Sequence, residues 1–423
     1  MKYFILVFIV FITITSCFAQ RKIEWVHGLG SDASFWYKQS QSFPGRVHSR
    51  KSFNDSNVSA FANDLKSRST ANSRKIMIGH SMGGVAIREL EKRQSNNFGG
   101  AITFGAPLDG AKIVNNLKSG TADTHFQKVE EILRKGEKAV DDAPALLKAE
   151  KFIHRHFNVP AKIALLTIGI EPLLKMLGYG GSITSSLNLK ALTPNNSDLA
   201  VGSSYMTSIK GFTSSKPKVV VYGDEDSPAH VRIASSAISS GKNDNSYLGE
   251  YNALKTSFDA VADSWEPGRF CITYCKKKES IADAWKEGYN YLNSGMEADW
   301  NKLIDSYGPP EVVGYRTVRE NICDDFDYGP QRRVMREAPI YDESCWVETR
   351  QPIYARPLIA NDGLLNKNTQ TGKDSQWTKS NTDIVRAPGV NHMEMGEHEE
   401  SRAILRGALD GERGYDAFFR GNI

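Results

Sequence analysis

The pentapeptide Gly79-His80-Ser81-Met82-Gly83 constrains this chain more than any other stretch. Ahead of it runs Lys75-Ile76-Met77-Ile78, strand-like and apolar, and behind it runs Val85-Ala86-Ile87-Arg88-Glu89-Leu90, with helical character. A strand that becomes a helix within five residues leaves no space beside the turn, so a Cβ at position 79 or 83 would strike the adjoining strand or helix. The same geometry lifts the Ser81 hydroxyl out of the sheet at the amino end of a helix, where unpaired N–H groups favour negative charge. A serine so placed is a candidate nucleophile towards a carbonyl carbon.

The flanking segments fit that reading. Ile23-Glu24-Trp25-Val26 reads as a short buried strand that runs into His27-Gly28-Leu29-Gly30. The backbone N–H groups of Leu29 and Met82 are the candidate pair of donors for an oxyanion. Gly100-Ala101-Ile102-Thr103-Phe104-Gly105-Ala106-Pro107 reads as the next buried strand and its turn. Strands and helices thus alternate at the spacing of an α/β fold, a mostly parallel sheet flanked by helices.

Further along stand Leu108-Asp109-Gly110, Asn361-Asp362-Gly363-Leu364 and Asn391-His392-Met393-Glu394. With the turns already described, in this order, the chain resembles the α/β-hydrolase superfamily, and within it the bacterial lipases, esterases and GPI inositol-deacylase-like lipases. The resemblance implies an α/β-hydrolase fold, Ser81 as nucleophile, a histidine near the carboxyl end as general base, and an acid between them in sequence.

His392 also stands out on its own surroundings. Of nine histidines, His27 and His80 belong to backbone turns, and His154 and His156 lie in a charged helical stretch. His392 instead follows a strand expected over 382–387 and precedes a helix expected over 397–409, which puts it at the carboxyl edge where open α/β sheets build their sites. Two residues compete as the acid. Asp226 ends the strand-like run Val219-Val220-Val221-Tyr222-Gly223, and Asp362 sits in the Asn-Asp-Gly-Leu turn much closer in sequence to His392. Asp362 is preferred, with Asp226 as the alternative.

Residues 1–19 carry Lys2, an apolar run over 3–12 and a small-residue end at Ala19, the pattern of an export signal. Cys17 in Ile14-Thr15-Ser16-Cys17 resembles a lipoprotein box, a less favoured reading because the first strand begins a few residues later. No later run has the length of a membrane span. The remaining cysteines, Cys271, Cys275, Cys323 and Cys345, suggest two disulfides in an exported chain, with three connectivities open. The spacing argues against a metal site.

Residues 20–423 read as one catalytic domain with two insertions. The first, 111–215, is helical in pattern over 126–140 and 144–157 and contains the apolar run 163–170. It reads either as a lid that exposes apolar surface to a lipid interface or as a fixed cap over a small-ester pocket. The second, 227–358, holds the cysteines and Trp265, Trp285, Trp300 and Trp346. It also holds a helix-like run over 278–303 and two segments, 332–336 and 346–354, that suggest a hairpin. Net charge is only +4, which points away from nucleic acid as a partner. No cofactor and no metal are implied. The expected activity is cleavage of carboxylic esters in a lipid or small ester by a secreted enzyme. A lipid acyltransferase, a GPI-type glycolipid deacylase and a non-catalytic binding module on the same fold are the alternatives.

Overall fold

A computed structural model describes residues 21–141, 197–226, 228–238, 246–268, 271, 274–321 and 346–410. The export segment with Cys17, the apolar run 163–170, the helical stretch 144–157, and Cys323 and Cys345 lie outside the described residues.

Among the described residues eight strands run in the order β1 (Ile23–Val26), β2 (His48–Arg50), β3 (Ile76–His80), β4 (Gly100–Phe104), β5 (Lys218–Asp224), β6 (Glu311–Asn321), β7 (Trp346–Ala355) and β8 (Thr382–Pro388). Six of them form one sheet in the order β2-β1-β3-β4-β5-β8, and every pair in it is parallel. Parallel pairing needs crossovers that cover both faces, which is why β1, β3, β4 and most of β5 are buried without interruption. Alternation sorts their side chains. Ile76, Ile78, Ile102, Phe104, Val219 and Val221 share one core with Trp25 and Trp36, whereas Met77, Ala101 and Val220 share the opposite one.

The helices are α1 (Tyr37–Gln41), α2 (Val58–Arg68), α3 (Met82–Arg93), α4 (Lys112–Lys118), α5 (Thr121–Asp141), α6 (Ser204–Lys210), α7 (Ala229–Ile238), α8 (Ser246–Trp265), α9 (Cys275–Asn290), α10 (Met296–Leu303), α11 (Lys367–Thr371) and α12 (Glu399–Asp410). Val58, Phe61 and Leu65 of α2 and Val85, Ile87 and Leu90 of α3 bury one face of the sheet, and Ile404, Leu405 and Ala408 of α12 bury the other. Asn57 caps α2 by accepting from the Ala60 N–H at 2.7 Å. The strand order reverses between β1 and β3, and the loops after those two strands carry His27 and Ser81. A crevice at the carboxyl ends of the strands opens where such an order reverses.

The run 278–303 forms α9, a π-helical turn at Tyr291–Gly295, and α10. Phe258 of α8 meets Trp285 of α9 edge-on at 4.9 Å between ring centres. A Cβ on Gly288 would stand 2.6 Å from the Phe258 ring, so this crossing requires glycine. Trp265, Trp285 and Trp300 are all buried, which places them in cores rather than on a binding surface. Cys271 forms a disulfide with Cys275, the first residue of α9, with 5.8 Å between Cα atoms.

The chain divides into two compact units, one made of the residues up to Ser306 and from Ala360 onward, the other of Tyr307–Ile359. The second unit is an antiparallel ribbon in which β6 pairs with β7 from Glu311↔Ala355 to Asn321↔Trp346, with an irregularity between Val312 and Gly314. Glu311–Asn321, rich in β-branched and aromatic residues, is the partner of 346–355, and 332–336, expected to form a hairpin with 346–354, lie outside the described residues. Among the described residues no helix is long and apolar enough to cross a membrane.

Candidate active site

Ser81 sits between β3 and α3 with φ 51° and ψ −129°, a backbone conformation that a serine adopts only where its surroundings enforce it. Its N–H donates to the Phe104 carbonyl at 2.9 Å, and its own carbonyl accepts from the Gly84 N–H at 2.9 Å. The glycines around it have no alternative. A Cβ on Gly83 would lie 2.2 Å from the His27 carbonyl oxygen, and one on Gly79 would lie 2.6 Å from Ile87 Cδ1 and 2.8 Å from the Gly84 nitrogen.

Three loops at the carboxyl edge of the sheet converge on that serine. His392, in the loop after β8, has its Nε2 3.0 Å from Ser81 Oγ and its Nδ1 2.7 Å from Asp362 Oδ2. A carboxylate only accepts, so Nδ1 carries the proton and Nε2 is left to accept from the serine hydroxyl. Asp362 is fully buried and His392 nearly so, whereas Ser81 is half-buried and is the member of the three that a substrate reaches.

Asp362 is held by its own turn: Oδ1 accepts from the N–H groups of Leu364 at 3.0 Å and Leu365 at 2.7 Å, an arrangement that Gly363 permits with φ 83°. The turn is braced from α10, where Trp300 Nε1 donates to the Gly363 carbonyl at 2.8 Å, and from the residue after β5, where the Glu225 N–H donates to the Asn361 carbonyl at 2.7 Å. The structure does not bring Asp226 into this group; that residue is exposed, and the carboxylate on His392 Nδ1 is that of Asp362.

The His392 loop is tied with equal care. The His392 N–H donates to the Asp362 carbonyl at 2.8 Å. Asn391 accepts on Oδ1 from the N–H groups of Met393 and Glu394, and donates through Nδ2 to Ser236 Oγ of α7 at 2.8 Å. Glu394 Oε1 accepts from the Asn391 N–H at 3.1 Å, while its Oε2 is buried with no hydrogen-bond partner among the described residues. Burial, reinforced by the nearby Glu225 carboxylate, pushes Glu394 up to about 7. Burial also raises Glu225, against the pull of Arg232, whose Nε lies 2.5 Å from Glu225 Oε1.

Leu29 and Met82 are the expected oxyanion donors. Met82 is the first residue of α3, so its N–H has no intrahelical partner. Gly28, just before Leu29, lies so close to the serine that a Cβ there would stand 2.9 Å from Ser81 Cβ. The Gly30 N–H donates to Asp55 Oδ2 at 2.6 Å and ties down the far side of the turn.

Two histidines that looked like turn residues have defined roles in the packing. His27 accepts on Nε2 from the Phe53 N–H at 2.8 Å and donates through Nδ1 to the Gly28 carbonyl at 2.7 Å. Burial holds it below the ordinary histidine value, so it is neutral, as that bonding requires. His80 donates through Nε2 to the His392 carbonyl at 2.9 Å. Position alone pointed to either: one precedes the glycine turn and the other precedes the serine.

The parallel order, the serine elbow after β3 and the carboxyl-edge convergence of the three loops identify the architecture. This is an α/β-hydrolase fold. No family model matches the chain, and no curated protein matches it. Among solved structures, an extracellular α/β-hydrolase from Paenibacillus matches at 12% identity over 63% of this chain and 98% of its own, with a TM-score of 0.25. An epoxide hydrolase mutant from Bacillus megaterium matches at 15% over 49% and 77%, with a TM-score of 0.22. A tomato methylketone synthase I variant matches at 20% over 25% and 48%, with a TM-score of 0.21. This chain spans less than half the length of several such structures, 48%, 44% and 43% for tomato methylketone synthase I, polyneuridine aldehyde esterase and an Arabidopsis methylesterase. Superpositions this loose assign neither a substrate nor a residue role.

Proposed function

We propose that this protein is a serine hydrolase that cleaves carboxylic esters through an acyl-enzyme. The observation that carries the proposal is the continuous relay from Ser81 Oγ to His392 Nε2 at 3.0 Å and from His392 Nδ1 to Asp362 Oδ2 at 2.7 Å, with the serine held at φ 51°.

In this reading the Ser81 hydroxyl passes its proton to His392 Nε2 as Oγ bonds to the ester carbonyl carbon. Asp362 keeps the imidazole in the tautomer that can accept that proton and stabilises the imidazolium it becomes. The carbonyl oxygen, now negative, rests on the N–H groups of Leu29 and Met82, each worth roughly 100-fold to 1,000-fold in rate. His392 then returns the proton to the leaving alcohol, the carbon–oxygen bond breaks, and the acyl group stays on Ser81. Water, deprotonated by the same histidine, attacks the acyl-enzyme; the products are a carboxylic acid and an alcohol, and the enzyme is restored.

Residues 1–19 as an export signal and the Cys271–Cys275 disulfide support secretion of a mature chain that starts at about residue 20. In the domain reading, residues 20–423 are one catalytic domain carrying the insertions 111–215 and 227–358. The test is hydrolysis of 4-nitrophenyl esters from acetate to palmitate by the purified mature protein, with Ser81→Ala as control. Ser81-dependent turnover is expected. A maximum on long chains makes the protein a lipase, and a maximum on short chains makes it an esterase. Turnover that survives Ser81→Ala, or none at all, overturns the reading.

A further inference from the structure

His80 precedes the proposed nucleophile, and its ring is directed across the sheet edge into the loop of the proposed base. Its Nε2 lies 2.9 Å from the His392 carbonyl oxygen. A carbonyl oxygen only accepts, so Nε2 carries the proton and donates. The ring is held on several sides: it stacks on Phe35 at 4.3 Å and 18°, meets Trp36 edge-on at 6.4 Å, and faces the His392 ring at 4.7 Å. Its other nitrogen is buried without a hydrogen-bond partner among the described residues, and it points at Gly28, where an added Cβ would lie 2.7 Å away.

The consequences follow from connectivity. Ser81 and His392 follow different strands with most of the chain between them, and the reaction needs Oγ and Nε2 within about 3 Å. Main-chain bonds fix Ser81 within the elbow, and the Asp362 carbonyl fixes the His392 nitrogen. The remaining main-chain group of His392, its carbonyl, is tied to the residue next to Ser81. One side chain therefore sets the base loop against the nucleophile.

We propose that His80 is a positioning residue that locks the His392 loop onto the nucleophile strand through the hydrogen bond from Nε2 to the His392 carbonyl. His80 also stays neutral. Full burial, with His392 and His27 nearby, drives it well below the ordinary histidine value. A neutral ring leaves the positive charge of the attack step to His392 alone, whereas a second imidazolium 4.7 Å away would oppose it.

This inference rests on the serine-hydrolase reading, and the experiment separates the two. His80→Phe keeps a flat ring against Phe35 and removes the donor. His80→Gln returns an amide N–H within reach of the same carbonyl. With 4-nitrophenyl butyrate as probe, His80→Phe is expected to lower kcat about 10-fold to 100-fold with KM within about twofold, because a misplaced base costs rate rather than binding. His80→Gln is expected to recover most of that loss while melting within a few degrees of His80→Phe. A wild-type kcat in His80→Phe overturns the inference. So does an equal loss in both variants that follows a fall in melting temperature, which marks a packing role. If the unmodified protein shows no Ser81-dependent turnover, the hydrolase reading itself fails first.

Discussion

Asp362 accepts hydrogen bonds on both of its carboxylate oxygens, and His392 takes only one of them: Nδ1 donates to Oδ2 at 2.7 Å, while Oδ1 is filled by the Leu364 and Leu365 N–H groups. The carboxylate is thereby fixed in rotation before the histidine is considered. Asp362→Asn can keep the two backbone bonds on its oxygen, but it presents an N–H to Nδ1 and so turns His392 into the tautomer whose Nε2 carries a proton towards Ser81. The expected result is a loss in kcat/KM of about 10⁴-fold with little change in melting temperature. Asp226→Ala, in contrast, is expected to stay within about twofold. Kinetics on 4-nitrophenyl butyrate check both, and near wild-type activity in Asp362→Asn would remove Asp362 from the mechanism.

Much of this architecture was legible because buried parallel strands are written as unbroken apolar runs. Ile23–Val26 and Gly100–Phe104 stand where their runs stand; the edge strand Thr382–Pro388, only partly buried, matches an expected 382–387, and the helix ahead of the carboxyl end is Glu399–Asp410 against an expected 397–409. The three-residue strand His48–Arg50 left no such run, since only half-buried side chains mark it. The ribbon was less legible for a different reason: a strand exposed on both faces chooses its partner by register, and nothing local in 346–354 says that 311–321 lies opposite. At the site, turn motifs pointed to Ser81, Asp362 and His392. The supports did not show. Trp300, Ser236 and His80 act through bonds to main-chain or side-chain atoms remote in sequence, and no spacing rule encodes those.

Glu394 gives the base loop a dependence on pH. Its buried Oε2 has no hydrogen-bond partner among the described residues, and its folded-state value is about 7 against 4.5. Because the folded value is the higher one, the folded protein binds the proton more tightly; the stability this contributes is complete below about 4.5 and is lost as pH rises through 7. The loss amounts to about 3 kcal/mol at most. Glu394→Gln keeps the acceptor for Asn391 and carries no charge. Its melting temperature is expected to differ less between pH 5 and pH 8 than that of the unmodified protein, which thermal melts at the two values will read directly. An unchanged difference would show that Glu394 is not the group responsible.

Gly28 is expected to tolerate no side chain. The Cβ of Gly28→Ala would meet His80 Nδ1 at 2.7 Å and Ser81 Cβ at 2.9 Å, both held by other contacts, so the glycine turn must retreat from the serine. Retreat carries the Leu29 N–H away from the developing oxyanion. The expected loss is about 100-fold in kcat or more, with the melting temperature lowered by only a few degrees. Wild-type kcat in Gly28→Ala would dissociate Leu29 from oxyanion stabilisation.

Towards the amino ends of β1 and β3, Lys75 and Glu24 form an ion pair, with Nζ 2.7 Å from Oε2 and both side chains almost wholly out of solvent. Ser69 Oγ hydrogen-bonds to both, and the Thr70 carbonyl accepts from Nζ at 2.9 Å, so each charge has local compensation. Burial nevertheless lowers Lys75 against the pull of Glu24, a sign that desolvation is the larger cost. Removing one partner leaves the other buried without its counter-charge, so Glu24→Leu and Lys75→Met alone are each expected to cost about 3–5 kcal/mol in denaturant unfolding. The double variant fills the site with apolar groups and leaves no stranded charge, and it is expected to recover at least half of the larger single loss. If the losses simply added, the two residues would not be coupled and the pair would be two independent contacts. Neither residue approaches Ser81, so kcat per folded molecule is expected to stay the same in all three proteins, which separates what holds this sheet together from what its carboxyl edge does.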